Sequence, residues 1–281
     1  MSGTELETPI RLPLRVWMAV EVFFGLAAIS TVFLRPEDTA NNFAWPIQPP
    51  VMAAVLGAFY FASALLFVLP LFARTWQRVR VMILPSAAFS TAMLLATFLH
   101  WDKFSVGTFP FFIWFASYVL PPPIFVALYI WHQRRAAPPG AGIEIPVVGW
   151  ARTSFRINGV AVSALALVGF AVPGLLTSAA PWDVTPLTTR TLCGWLLAVG
   201  LLQVSMAWEG DWRRARLATA MLMVLPVAVL VQLGRFAGQV DWGSLSLWVL
   251  LADFSAVAGV CGYLWLAAGA DRPVVRPATV P

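Results

Sequence analysis

Charge is what this sequence lacks. Asp, Glu, Lys and Arg make up 11% of its 281 residues, against about 25% in an ordinary soluble domain. So few charges cannot cover a water-facing surface, which excludes a soluble enzyme or carrier. Lysine is all but missing: Lys103 is the only one, and the other seventeen basic residues are arginine. With no lysine inside an apolar run, a retinal-type Schiff base is excluded. Histidine occurs twice, at His100 and His132, and the two are expected on opposite faces of a membrane, which excludes bis-histidine haem ligation within one chain. The two cysteines, Cys193 and Cys261, fall in apolar runs at depths that differ by roughly 20 Å at a helical rise of about 1.5 Å per residue. That is beyond a disulfide's reach, and both read as packing residues. There is no CxxC, no Walker loop, no GxSxG and no glycosidase-type carboxylate pair. No cofactor and no metal is expected.

What the chain has instead is apolar length. Runs at 14–34, 51–73, 81–100, 109–131, 158–176, 191–208, 217–234 and 244–267 each approach the roughly 20 residues that cross a bilayer. The first thirteen residues carry two acids and one arginine. The run after them is too long for a cleaved signal peptide, so it reads as a retained first span. The fold expected is an all-α membrane protein with about eight transmembrane helices. Arginine and lysine alternate between its loops. The N-terminus, the loops around Arg74–Arg80, Arg134–Arg156 and Arg213–Arg216, and the tail carry fourteen basic residues. The other loops carry four: Arg35, Lys103, Arg190 and Arg235. By the positive-inside rule both termini are cytoplasmic, and a multi-pass protein of a bacterial cytoplasmic membrane is expected. The net charge of +5 is spread over these loops rather than gathered in one patch, so nucleic acid is not an expected partner. The lipid bilayer is, with another membrane protein or a second copy of the chain as further candidates.

The two halves are alike. An offset of 137 pairs Arg15 with Arg152, Phe33 with Phe170, Pro36 with Pro173, Trp45 with Trp182, Pro49 with Pro186 and Gly57 with Gly194. An offset of 136 pairs Trp76, Arg78 and Arg80 with Trp212, Arg214 and Arg216, and 134 pairs Trp114 with Trp248. Both halves thus hold W-x3-P-x7-G entering the second span and W-x-R-x-R in the next loop. The expected organisation is a four-helix unit over 1–135, a linker over 136–151, a second four-helix unit over 152–270 and a tail over 271–281. An even number of spans per unit keeps both copies in one orientation, a parallel 4+4 repeat. The segments Trp182–Thr188, Gly210–Arg214, Leu99–Phe104 and Tyr118–Pro123 resemble an uncharacterised family of bacterial membrane proteins with tandem four-helix units. The resemblance implies this topology and no catalytic residue.

Three groups of residues are candidates for chemistry. The first is a buried polar site. Glu21 and Asp253 lie inside spans, where a carboxyl costs about 2.5–3.5 kcal/mol unless paired, protonated or watered. Asn158 takes the place of Glu21 in the second half, and Ser255 lies beside Asp253. Proton or cation handling is the functional reading, and a neutral acid bonded to hydroxyls the structural one. The second is the run Pro121-Pro122-Pro123, which removes three backbone donors and breaks span four; it either lines a site or kinks the helix against its neighbours. The third is His100-Trp101-Asp102-Lys103, either an interfacial anchor or an outward-facing ligand site with His100 as base or donor. Three function classes follow. They are small-molecule or ion permeation between the two repeats, possible with proton coupling; a non-catalytic subunit or scaffold; and a membrane enzyme at the outer face.

Overall fold

The computed structural model describes residues 8–136 and 145–268; the Pro138-Pro139-Gly140 part of the linker and the 271–281 tail lie outside them. Among the described residues, eight helices are long and apolar enough to cross a membrane: α1 (Leu12–Phe33), α2 (Pro50–Leu71), α3 (Arg80–Leu99), α4 (Phe109–Gln133), α5 (Gly149–Ala171), α6 (Pro186–Glu209), α7 (Trp212–Arg235) and α8 (Leu245–Ala268). The protein is an all-α, multi-pass membrane protein. Local chemistry sets several starts and stops. Proline sits in the first turn of α1, α2, α4 and α6, where its missing N–H would have no helical partner anyway. Thr185 and Thr188 form a capping box on α6. Gly210, at φ 62°, ends that helix in the left-handed region, and Asp211 caps α7 at once, so two residues turn the chain.

Helix α5 departs from the expected span. It begins nine residues earlier, at Gly149, and ends at Ala171 rather than at Leu176. Two arginines made its first turns look like loop. Arg152 bends back so that its Nε donates to the Ala207 carbonyl at 2.7 Å, an arrangement open to a long side chain near a membrane boundary. Pro173 follows the last turn.

Burial sorts the helices into two ranks. In α2, α3, α6 and α7 between 56% and 72% of the apolar window is buried by protein, while α1, α4, α5 and α8 fall between 17% and 28%. The inner four form the core and the outer four leave lipid to cover most of their surface. Pairing follows a rule: α1 lies on α2, α4 on α3, α5 on α6 and α8 on α7, whereas the inner helices pair across the halves, α2 with α7 and α3 with α6. Where backbones meet, glycine is required. A Cβ on Gly57 would stand 2.5 Å from the Phe33 Cα, and one on Gly159 would stand 2.7 Å from the Gly200 carbonyl.

The loops fall on two faces. On one, Ile10 N donates to the Arg74 carbonyl and Trp76 N to Thr8, while Val147 N donates to Gly210 and Trp212 N to Ile145. Each pair closes a short antiparallel bridge, Pro9 with Thr75 and Pro146 with Asp211. The same face holds an ion cluster in which Glu209 pairs with Arg80 and with Arg214, and Arg214 also reaches Asp211 at 3.4 Å. On the other face Arg235 Nη1 donates to the Phe33 carbonyl at 3.1 Å, and Arg190 Nε donates to the Phe170 carbonyl at 3.0 Å. The arginine-rich loops therefore share one face and the arginine-poor loops the other.

Candidate ligand cavity

The first four helices border a partly open cavity of about 250 Å³, with α6 and α7 forming its back wall. Its position follows from the pairing rule. Because α1 rests on α2 and α4 on α3, the two outer helices do not close firmly on each other. The space between them is lined by Glu21, Phe24 and Gly25 of α1, Ile113, Trp114 and Tyr118 of α4, and Tyr60 and Phe89 of the inner helices.

Helix irregularity gathers at this cavity. The last turn of α1, Ile29–Phe33, is π-helical, a form that recurs at functional sites. Helix α2 tightens at Ala64, whose carbonyl accepts from Phe67 N at 3.1 Å. Helix α4 is divided at Leu120 into Phe109–Val119 and Pro121–Gln133. Thr31, Ala64, Ser117 and Tyr118, at or beside these irregularities, all line the cavity. The four helices α5 to α8 run as unbroken α-helix from end to end.

Polar groups in the wall are unevenly used. Glu21 Oε1 is buried with no hydrogen-bond partner, a costly state for a carboxyl. The Tyr60 and Tyr118 hydroxyls bond to each other; one donates to the other, which leaves the second O–H free of the pair. The hydroxyls of Thr31, Ser63, Ser86, Ser90 and Ser117 all donate to carbonyls of their own helices, so what they have left is acceptor lone pairs. Trp195 Nε1 lacks an acceptor.

The other acid, Asp253, sits elsewhere. It lies half-buried on α8, in the neighbourhood of Asn158 of α5, and Asn158 Nδ2 donates to Gln203 Oε1 at 3.2 Å. The structure thus brings Asp253 near Asn158 in the second half. It places neither beside Glu21, nor either of them in the wall of the cavity. Ser255 is exposed. The proline run does adjoin the cavity, since Ser117 and Tyr118 precede it on the same helix.

The outer group divides in two. His100 Nε2 lies 2.7 Å from Arg190 Nη1. A guanidinium only donates, so the ring accepts and is neutral there. Partial burial first, and then the Arg190 charge, hold the ring below the ordinary histidine value, with Asp102 pulling weakly the other way. Asp102 itself turns to water and pairs with Lys103 at 2.7 Å, and that hydrogen bond holds its carboxyl below the usual range. Trp101 stacks on Phe98 at 6.1 Å. His100 and Asp102 therefore do not meet in one pocket. On the opposite face, His132 is buried and stacks on Trp76 at 4.9 Å. Among the described residues no three His, Cys, Asp or Glu side chains converge on a metal position.

Sequence reasoning found Glu21 and the proline break but not what completes the cavity. Tyr60 and Tyr118 are 58 residues apart, and nothing local marks them as partners. The match between Arg190 and His100 is equally a product of packing. No protein family, curated protein or solved structure matches this chain, so no relative lends it a family or an activity.

Proposed function

We propose that the protein is a membrane-embedded carrier of small molecules, and that its working site is the cavity of the first four-helix unit. One observation carries this reading: a carboxyl without a partner faces an aromatic-lined space, and it does so in one half of the chain only. The chain is read as a duplicated unit, on three supports. Each half opens with the same antiparallel bridge. Arg15 donates to the Leu71 and Ala73 carbonyls as Arg152 does to Ala207. The inner helices pair crosswise, as two copies about an axis along the membrane normal would.

Within that frame the halves have diverged. At the repeat offsets Glu21 corresponds to Asn158, Tyr60 to Leu197, Tyr118 to Ala252 and Ser86 to Leu222. The second unit is filled by close contact of Gly159, Ser163 and Gly200 between α5 and α6. It serves as the rigid counterpart of the first, with Asn158 of α5 bonded to Gln203 of α6. The pathway is then within the first unit rather than along the junction of the two, which is packed with buried rings such as Phe59, Trp195 and Phe254.

Gentle purification from native membranes, followed by mass spectrometry of everything retained, tests this. A small molecule should co-purify with the wild type and be lost from Gly25→Leu, because Gly25 borders the cavity with nothing within 4 Å of its Cβ position. A stoichiometric membrane protein with no small molecule would instead make the chain a scaffold.

A further inference from the structure

We propose that the occupant of the first-unit cavity is a lipophilic organic cation, an amine or quaternary ammonium, taken up in exchange for the proton of Glu21. The inference rests on the cavity being the working site and adds what kind of molecule fits it.

Four features of the wall converge on positive charge. The first is the Glu21 carboxyl itself, unpartnered on Oε1. The second is the aromatic lining: Phe24, Phe89 and Trp114 border the same space, and ring faces attract a cation, more strongly once it has left water. Trp114 spends its N–H on Thr97 Oγ1 at 2.9 Å, so it offers the cavity no donor from that group. The third is the break in α4. Prolines at 121, 122 and 123 replace the N–H groups that would bond the carbonyls of Ser117, Tyr118 and Val119. Missing N–H groups also blunt the positive end of the second segment, so the negative carboxyl end of the first is left uncancelled beside the cavity. The fourth is the hydroxyl inventory. Side chains that line the space have turned their hydrogens back onto their own helices, which leaves acceptors. Against these stand the Trp195 N–H, one hydroxyl of the tyrosine pair and the second amide N–H of Asn42, whose first goes to Asp38.

No basic group competes with a bound cation. Glu21, Tyr60 and Tyr118 are the titratable side chains among the lining residues, and no Arg, Lys or His is present there. Arg15, nearer the inner end of α1, is held by the Leu71 and Ala73 carbonyls. At the outer end Arg35 bonds to the Ser30 carbonyl, and Arg235 to Phe33, Leu34 and Glu37, while Asp38 accepts from Asn41 and Asn42. With no cation present a proton neutralises Glu21. When the ligand enters, the O–H bond of the carboxyl breaks, the proton passes to solvent and the carboxylate pairs with the incoming charge. Net charge in the cavity is unchanged, which is what a low-dielectric site requires.

Benzyltrimethylammonium and neopentylbenzene have the same shape and differ in charge, so together they isolate the effect. Binding of the tritiated cation to the purified full-length protein in lipid nanodiscs should saturate, with about one proton released per cation bound in weak buffer. The neutral isostere should compete at least about tenfold less well, equivalent to about 1.4 kcal/mol. Glu21→Gln should lose cation binding and proton release together, while Glu21→Asp, which keeps the acid, should retain both at lower affinity. Binding of the cation without proton release, or equally by Glu21→Gln, would overturn the proposal. Equal binding of the two probes would overturn it too, but would leave the cavity as a small-molecule site. Failure of both probes to bind would remove that site as well.

Discussion

At the scale of single residues, the contact between Arg190 and His100 makes a signed prediction. The ring accepts from a guanidinium and is held below the ordinary histidine value of 6.5. A folded-state value below the unfolded one means that its contribution is complete above about pH 6.5 and lost as pH falls through the folded value. The melting temperature should therefore decline from pH 7 to pH 5, and His100→Gln, which keeps an acceptor that does not titrate, should flatten that decline. The ring is only partly buried, so screening limits the effect to about 0.5 kcal/mol; parallel curves for the two proteins would assign the decline elsewhere. Glycine gives a larger effect. Gly57→Ala presses a Cβ onto the Phe33 backbone, and strain of this kind costs about 1–3 kcal/mol. Thermal unfolding followed by tryptophan fluorescence should show a clear drop for this variant and none for Gly25→Ala, where the space is open. Legibility was uneven at this scale. Glu21 stood out because an acid in an apolar run is costly, whereas Tyr60 and Tyr118 are ordinary helix residues until the fold brings their hydroxyls together.

At the scale of helices, the proline run carries the test. Restoring three N–H groups with the triple change Pro121→Ala, Pro122→Ala and Pro123→Ala lets α4 run unbroken and engages the carbonyls of Ser117, Tyr118 and Val119. Helix stability should be kept or improved, since proline in a helix interior costs about 3 kcal/mol. Benzyltrimethylammonium affinity should fall by about tenfold or more, about 1.4 kcal/mol. Circular dichroism and radioligand binding on the same preparation separate the two effects, and undiminished binding would free the break from any part in the site. The eight spans themselves were plain in the sequence, because a bilayer admits few alternatives to an apolar helix of about 20 residues. Their ends were less plain. The start of α5 was hidden by Arg152 and Arg156, which both belong to the helix, the Arg152 side chain returning to the boundary on the Ala207 carbonyl. The π-turn of α1 left no mark, since Ile29–Phe33 is compatible with either helix form.

At the scale of the molecule, the gathering of basic loops on one face predicts orientation. Reporters fused after Arg80 and Arg216 should be cytoplasmic, and those after Lys103 and Asp183 external. An external result at Arg216 with a cytoplasmic one at Arg80 would turn the second unit over and end the parallel-repeat reading. The crosswise pairing of α2 with α7 and of α3 with α6 makes a further prediction. Residues 1–140 expressed alone leave the inner faces of α2 and α3 without partners, so they should be degraded or self-associate. Co-expression with 141–281 should restore a complex that co-purifies. The proposal of a duplication starts from matched Trp, Pro, Gly and Arg positions in the sequence. The crosswise pairing of the inner helices had no such mark, because hydropathy specifies which helices cross the bilayer and not which neighbours they choose.

The two ranks of burial also say something about how fast the cavity can exchange its contents. Helix α1 has only 17% of its apolar window covered by protein, so moving it away from α4 mainly replaces side-chain contacts with acyl chains. Lipid tails are about as apolar as leucine, so such a displacement is close to neutral in equilibrium terms. What resists it is the rearrangement of the surrounding chains. Exchange should then be governed by the solvent rather than by the protein: rates of benzyltrimethylammonium release should follow membrane viscosity, slowing sharply when the same nanodisc lipids pass from the fluid to the gel phase while the affinity changes little.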